Sequence, residues 1–191
     1  VQGEEVREER VKVQIAWTLP VDLVATEPLP TAAAVTVRGT RAAVNKAHQS
    51  AVRLVVDVSS YAEGEHRVDL DGIVADGLPP TVERLGVSPS AVPFTLDRLA
   101  VHSVRIQVVL VGDPAPGYAI SATETDPNVV EVRGPREALS ALREVPTRPI
   151  DVSGLTEDYE REVPLDLPRA VSLASDTTVR AKLTVRSRTE Q

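Results

Sequence analysis

The stretch Val130-Glu-Val-Arg-Gly-Pro135 has a near copy earlier in the chain, Val35-Thr-Val-Arg-Gly39. In both stretches apolar residues alternate with polar ones, which is the pattern of a β-strand with one buried face. The two copies lie about 95 residues apart, and repetition at a fixed spacing indicates that the chain contains the same domain twice.

Further pairs of segments recur in the same order, and their spacing stays nearly constant until an insertion around 71–77 lengthens the first copy. The sequence therefore predicts two tandem β-rich domains, residues 6–98 and residues 99–191. The recurring pairs are Val11–Leu19 with Val104–Val111, Val56–Ser59 with Ile150–Ser153, Val68–Leu70 with Val163–Leu165, and Ser90–Leu96 with Thr177–Leu183.

A short helix is predicted after each copy of the opening motif. Gly39 and Gly134 each end a predicted strand, and a turn or helix entry is expected there because glycine reaches positive φ at no steric cost. Pro135 suits the first position of a helix, and Thr40 is a good N-cap for its equivalent in the first copy. The predicted fold class is all-β with one short helix per repeat.

Composition excludes several classes of function. The chain has 191 residues, a net charge of -7 and 3% aromatic residues, which argues against nucleic acid as a direct partner. It contains no cysteine, so disulfides and thiolate chemistry are excluded. Its apolar runs are too short for a transmembrane helix. Because the chain starts at Val1 and lacks methionine, we expect it to be part of a longer or processed product.

His66 is the histidine with acidic neighbours, Glu63 and Glu65. Histidine and carboxylates together can bind zinc or manganese. The second copy has Arg161 at the equivalent position, however, and metal ligands must converge in space rather than follow one another in sequence. We therefore expect a solvated hairpin turn at His66.

Asp57 and Asp151 occupy equivalent positions in the two copies and could be read as a catalytic carboxylate pair. A glycosidase needs both carboxylates to flank one bond, whereas these two lie in different predicted domains, each just before a turn. We expect both to accept backbone N–H bonds in Asx-turns. Arg38 and Arg133 are expected to pair with nearby acids rather than with a partner.

No catalytic, cofactor-binding or metal-ligating residue is predicted, and no cofactor. The sequence has no Walker A motif, no dinucleotide-binding glycine motif and no nucleophile elbow. What the two copies share is a structural repeat motif, made of Arg38, Gly39, Asp57, Arg133, Gly134, Pro135 and Asp151.

These ordered segments resemble YbbR repeats. The second copy carries the resemblance best, in Val130–Pro135 and Ile150–Leu155, and the first carries it in Val35–Gly39 and Val56–Ser59. The resemblance implies two tandem YbbR-like domains. It also implies that residues 1–5 are a membrane-proximal leader, following an N-terminal helix that this sequence does not include.

Members of this family typically carry their repeats outside the cytoplasm behind one membrane helix. The family includes a regulator of the membrane diadenylate cyclase that makes cyclic di-AMP. The resemblance therefore implies a non-enzymatic, membrane-tethered regulatory module on the extracytoplasmic face, with a membrane diadenylate cyclase as its partner. The alternative is a cell-envelope ligand-binding or hydrolytic β-domain protein, which a concave pocket with clustered carboxylates would favour.

Overall fold

The computed structural model describes residues 4–188, so residues 1–3 of the predicted leader lie outside the described part. Within that part the chain is mostly β-strand with two short helices, and the predicted all-β class is confirmed. The chain divides into two compact units, one ending at Arg98 and the other beginning at Leu99, each with its own hydrophobic core. No helix among residues 4–188 is long and apolar enough to cross a membrane.

The first unit is built from strands whose alternating apolar residues face a valine-rich core. Strand β8 contributes its first half to this unit and its second half to the other. The elements are β1 (Val6–Thr18), β2 (Leu23–Ala25), β3 (Ala32–Thr40), α1 (Arg41–Gln49), β4 (Arg53–Asp57), β5 (Gly64–Asp69), β6 (Ala75–Asp76), β7 (Glu83–Ser88) and β8 (Ala91–Gln107).

Strand β1 lies at the centre of the larger sheet of this unit, whose order is β6-β4-β1-β3-β7. It pairs antiparallel with β3, with Val11 opposite Val35, and parallel with β4, with Trp17 opposite Val56. The first half of β8 pairs antiparallel with both β2 and β5. These pairings place the apolar faces of the strands on one core.

Helix α1 begins where the sequence predicts. The Thr40 hydroxyl oxygen accepts a hydrogen bond from the backbone N–H of Ala43 at 3.3 Å, which satisfies one of the free N–H groups of the first turn. Ala43, Val44 and Ala47 form the buried face of the helix, which packs on β1 and β3. The predicted N-cap is confirmed.

The second unit has a similar arrangement of strands and one helix, but its strands differ in length from those of the first unit. It consists of the second half of β8 together with β9 (Leu110–Val111), β10 (Tyr118–Asp126), β11 (Val129–Pro135), α2 (Arg136–Ala141), β12 (Glu144–Pro146), β13 (Ile150–Asp151), β14 (Tyr159–Glu162), β15 (Ser172–Leu173) and β16 (Arg180–Ser187).

The second unit pairs equivalent residues as the first does. Val104 lies opposite Val130 in the antiparallel β8–β11 pair, as Val11 lies opposite Val35. Ile150 lies beside Leu110 in the parallel β13–β9 pair, as Val56 lies beside Trp17. A second sheet has the order β10-β16-β14. The same strand pairing therefore occurs in both units.

Helix α2 begins one residue later than the sequence predicts. Pro135 does not occupy the first helical position, because it closes β11 opposite Leu99 and precedes the helix with extended dihedrals. The helix stops after Ala141, since Leu142 returns to an extended conformation, and it is only six residues long. Leu139 is buried and holds the helix to the core.

Candidate functional site

The glycines of the repeat motif precede the two helices, but they do so with ordinary strand backbone rather than positive φ. Gly39 lies in β3 and Gly134 in β11, and neither has positive φ. A Cβ atom on Gly134 would lie 2.8 Å from the carbonyl oxygen of Ala170, and one on Gly39 would lie 3.1 Å from Cγ1 of Val82. A helix follows each motif as expected, but neither glycine uses positive φ, and both positions are tightly approached by another part of the same unit.

The two aspartates of the motif form the predicted Asx-turns. Asp57 Oδ1 accepts hydrogen bonds from the backbone N–H of Ser59 at 3.0 Å and from its hydroxyl at 2.6 Å. Asp151 Oδ1 accepts from the backbone N–H of Ser153 at 2.9 Å. Hydrogen bonds from each serine, chiefly from its side chain and secondly from its backbone N–H, hold the pKa of the aspartate below its usual value, because they stabilise the charged form. The prediction of Asx-turns is confirmed.

Gly112 packs closely against the Asp151 turn. Gly112 has φ of +80°, and a Cβ atom there would lie 2.1 Å from the hydroxyl oxygen of Ser153. A side chain at this position would therefore need both a strained backbone and a displaced turn. This contact was not foreseen, because it joins residues distant in the sequence.

The two arginines of the motif are exposed at equivalent strand positions. Arg38 Nε lies 4.0 Å from Glu8 Oε1 across the β1–β3 pair, which agrees with the predicted pairing with a nearby acid. At such exposure the pair contributes little to stability. For Arg133, which lies opposite Val101 on β8, the same pairing stays a prediction.

His66 lies in a different environment from the one predicted. It is half-buried in β5 opposite Phe94, not in a solvated turn. Its ring lies 5.0 Å from that of Tyr61 and 5.7 Å from that of Phe94 between ring centres, and Nε2 donates a 2.6 Å hydrogen bond to the Ala62 carbonyl oxygen. Trp17 packs edge-on against Phe94 at 5.8 Å. This aromatic cluster covers one side of the first core.

The insertion of the first unit is held by Arg84, which the sequence did not single out. Its guanidinium donates hydrogen bonds to the carbonyl oxygens of Ile73, Leu70 and Asp71, the last two at 2.8 and 3.1 Å. Asp71 Oδ1 in turn accepts from the backbone N–H of Val87 at 2.9 Å. Arg84 and Asp71 thus fasten the insertion to β7.

A charged face on the second unit is the feature that comes nearest to a carboxylate-lined pocket. Four carboxylates on β10 and β14 flank two cations on the central strand β16 and line an open depression of about 510 Å³. Arg180 pairs with Glu160 at 3.3 Å. No group of three or more histidine, aspartate and glutamate side chains among residues 4–188 could hold a metal ion. The charged face consists of Glu124, Asp126, Glu160, Glu162, Arg180 and Lys182.

The comparisons with known proteins concern the same unit most directly. The family model of the YbbR-like protein matches residues 104–185. A crystal structure of a YbbR-like protein from Streptococcus pneumoniae has a TM-score of 0.64 at 15% sequence identity, over 96% of this chain and 96% of that chain. A solution structure of SuR18C from Streptococcus thermophilus has a TM-score of 0.40 at 26% identity, over 49% of this chain and 90% of that chain. None of the proteins of curated function matches the sequence.

The fold and the repeat motif define a protein of small valine-rich β-domains whose shared polar residues shape turns. The family match covers residues 104–185, so the second unit contains a YbbR-like domain. The pneumococcal structure shows that the fold of the chain is also that of a YbbR-like protein. The family resemblance drawn from the sequence is confirmed.

Proposed function

We propose that this chain is the extracytoplasmic part of a membrane-tethered, non-enzymatic regulator. It acts by protein contacts on a membrane diadenylate cyclase and so modulates the synthesis of cyclic di-AMP. The observation that carries the proposal is the YbbR-like domain at residues 104–185. The first unit, which pairs its strands in the same way, is proposed to be a second domain of this kind.

The use of the reactive side chains supports a role in binding rather than catalysis. The equivalent aspartates Asp57 and Asp151 are engaged by their own serines, Ser59 and Ser153. The imidazole of His66 is engaged by a backbone carbonyl and two aromatic rings. A catalytic acid, base or nucleophile needs a geometry directed at a substrate, whereas these groups are directed at their own turns and core.

The proposed location determines how regulation must work. A cyclase of this kind makes its product in the cytoplasm, while the β-domains lie on the other side of the membrane. Coupling then passes through membrane helices, as a shift between two states of the partner. The β-domains contribute by binding one of those states more tightly than the other.

The test compares three forms of the protein, each co-expressed with the membrane diadenylate cyclase. The first carries its native N-terminal helix, the second carries an unrelated membrane helix, and the third is exported without a helix. Cellular cyclic di-AMP is measured for each form at matched protein levels. We expect the native form to change the level and the helix-free form to leave it unchanged.

The form with the unrelated helix separates tethering from a specific helix contact. If it regulates as well as the native form, the β-domains need only be held at the membrane. If the helix-free form regulates equally well, transmission through the helix is wrong. If no form changes cyclic di-AMP or co-purifies with the cyclase, the proposed partner is wrong.

A further inference from the structure

Strand β10 is a nine-residue strand at the edge of the β10-β16-β14 sheet. Its partner is β16 on one side. On the other side, Tyr118 N–H donates to the Ala115 carbonyl oxygen, but no backbone hydrogen bond joins Ala122–Asp126 to any residue between 4 and 188. The register shift between Ile120 and Ala122 ends before the last part of the strand, so Ala122–Asp126 is regular. An edge of this kind is a template for another strand.

The register shows which backbone groups point to the open side. Val163 N donates to Val179 O, so residues 179, 181 and 183 of β16 bond towards β14. Residues 180 and 182 therefore bond towards β10, where they lie opposite Asp126 and Glu124. By the same alternation, the N–H and C=O groups of Thr123 and Thr125 point to the open edge.

A groove of about 490 Å³ runs along this edge. Its lining includes Thr123 and Thr125 from β10 and the half-buried side chains of Ile106 and Val108, which pack against the core of the second unit. We call this groove, with the five regular residues of β10, the edge groove. It offers backbone partners along one wall and apolar side chains beneath.

The charged face determines what an added strand should carry. Across the sheet, Glu160 lies opposite Lys182, and Lys182 lies opposite Glu124, so charge alternates from β14 to β16 to β10. Asp126 lies opposite Arg180 in the next row. No ion pair within 4.0 Å joins Glu124 or Asp126 to a cation among residues 4–188. A strand beside β10 completes the alternation when it is basic on this face.

We propose that the edge groove binds an extended, basic segment of a protein partner, which pairs antiparallel with β10 as an added strand. Its residues opposite Thr123 and Thr125 are apolar and cover Ile106 and Val108, while the residues between them are Lys or Arg. A second copy of this chain fits less well, because joining two β10 strands places four carboxylates from Glu124 and Asp126 on one face. The proposal does not depend on the partner being a cyclase.

The probe is the peptide acetyl-Val-Lys-Val-Lys-Val-amide, titrated into the folded chain and followed by amide chemical shifts. We expect saturable shifts at Ala122–Asp126 and at Ile106 and Val108. The acetyl-Val-Glu-Val-Glu-Val-amide peptide should bind at least tenfold more weakly, because it places carboxylates beside Glu124 and Asp126.

Backbone methylation of the peptide tests strand pairing on the unmodified protein. N-methylation of the central valine removes an N–H that points at β10 and should weaken binding about tenfold. N-methylation of a lysine removes an N–H that points away and should change binding less than twofold. The two methylated peptides have the same composition, so their difference reports the hydrogen bonds alone.

Two variants of the protein test the backbone edge and the charge of β10. Thr123→Pro removes an N–H on the open edge while keeping the bonds to β16, and should abolish binding that Thr123→Ala retains. Glu124→Lys should weaken the basic peptide and strengthen the acidic one. If Thr123→Pro fails to fold, the methylated peptides on the native chain decide the matter.

Three results would overturn the proposal. The first is no binding of the basic peptide at millimolar concentration. The second is equal affinity of the two methylated peptides, which would mean that the backbone edge is not used. The third is a concentration-dependent dimer with shifts at β10, which would assign the edge to a second copy of the chain.

Discussion

Replacing Gly134 by alanine tests why the repeat motif ends in glycine. Gly134 is buried in β11 and has ordinary strand dihedrals, so alanine introduces no backbone strain. Its Cβ, however, would lie 2.8 Å from the carbonyl oxygen of Ala170 and 3.4 Å from Cα of Val171. Both contacts are with backbone, which cannot rotate away as a side chain can.

The size of the effect follows from two opposing contributions. Overpacking of a tight site costs about 1–3 kcal/mol. Alanine restricts the unfolded chain and returns about 0.4–1 kcal/mol. Gly134→Ala should therefore destabilise the second unit by about 1–2 kcal/mol. For a unit of this size that lowers the melting temperature by about 4–10 °C.

Gly39→Ala is the matched control in the first unit. Its Cβ would lie 3.1 Å from Cγ1 of Val82, a methyl group that can shift, and 3.4 Å from the Thr81 carbonyl oxygen. The small overpacking and the gain from the unfolded chain nearly cancel. We expect a change of less than about 0.5 kcal/mol in either direction.

Two probes assign the effects to the correct unit. Trp17 is the only tryptophan of the chain, and its fluorescence during urea unfolding reports on the first unit. Hydrogen exchange of the β11 and β16 amides reports on the second. If Gly39→Ala destabilises its unit as much as Gly134→Ala does, or if Gly134→Ala is neutral, close backbone approach does not explain the motif.

Three further predictions concern individual hydrogen bonds. The lowered pKa of Asp57 and Asp151 means that their stabilisation is complete above the ordinary aspartate pKa of about 3.9 and is lost as the pH falls through the lowered value. Replacing both by asparagine should flatten the acid limb of urea midpoints against pH, and an unchanged limb would contradict this origin. Arg84→Met should destabilise the first unit by about 2–4 kcal/mol and speed amide hydrogen exchange in residues 71–77, and Arg84→Lys should restore only part of the lost stability. If the native protein and both variants exchange at the same rate in this segment, Arg84 does not hold the insertion. Thr40→Ala should cost about 1 kcal/mol in thermal unfolding and Thr40→Ser almost nothing, because serine keeps the capping oxygen.

The features that the sequence predicted correctly are those set by neighbouring residues. Alternation placed Val11 and Val35 on a buried face, and the structure pairs them directly. The cap at Thr40 and the turns at Asp57 and Asp151 each join groups two or three residues apart. Such bonds depend on little beyond local dihedral preferences, so a single sequence is enough to find them.

The features that could not be predicted from the sequence depend on contacts between residues far apart along the chain. Gly134 is a glycine because of Ala170, a residue far along the chain that β15 brings close. His66 lies against Phe94 because β5 pairs with β8. The charged residues beside His66 in the sequence indicated an exposed turn. Strand pairing instead places its ring against Phe94 at the edge of the core. No local pattern records either contact.

The edge groove was missed for a different reason, which is that the two units differ there. Equivalent positions hold β2 in the first unit and β10 in the second, since both pair with the strand that ends its unit. β2 has three residues and is soon followed by Pro28 and Pro30, which cannot donate to a neighbouring strand. The first unit thus protects its edge with proline, a common defence against unwanted pairing. The second unit extends the strand to nine residues and keeps its N–H groups. Repetition in the sequence identifies the shared core, while a binding surface arises where one copy departs from the other.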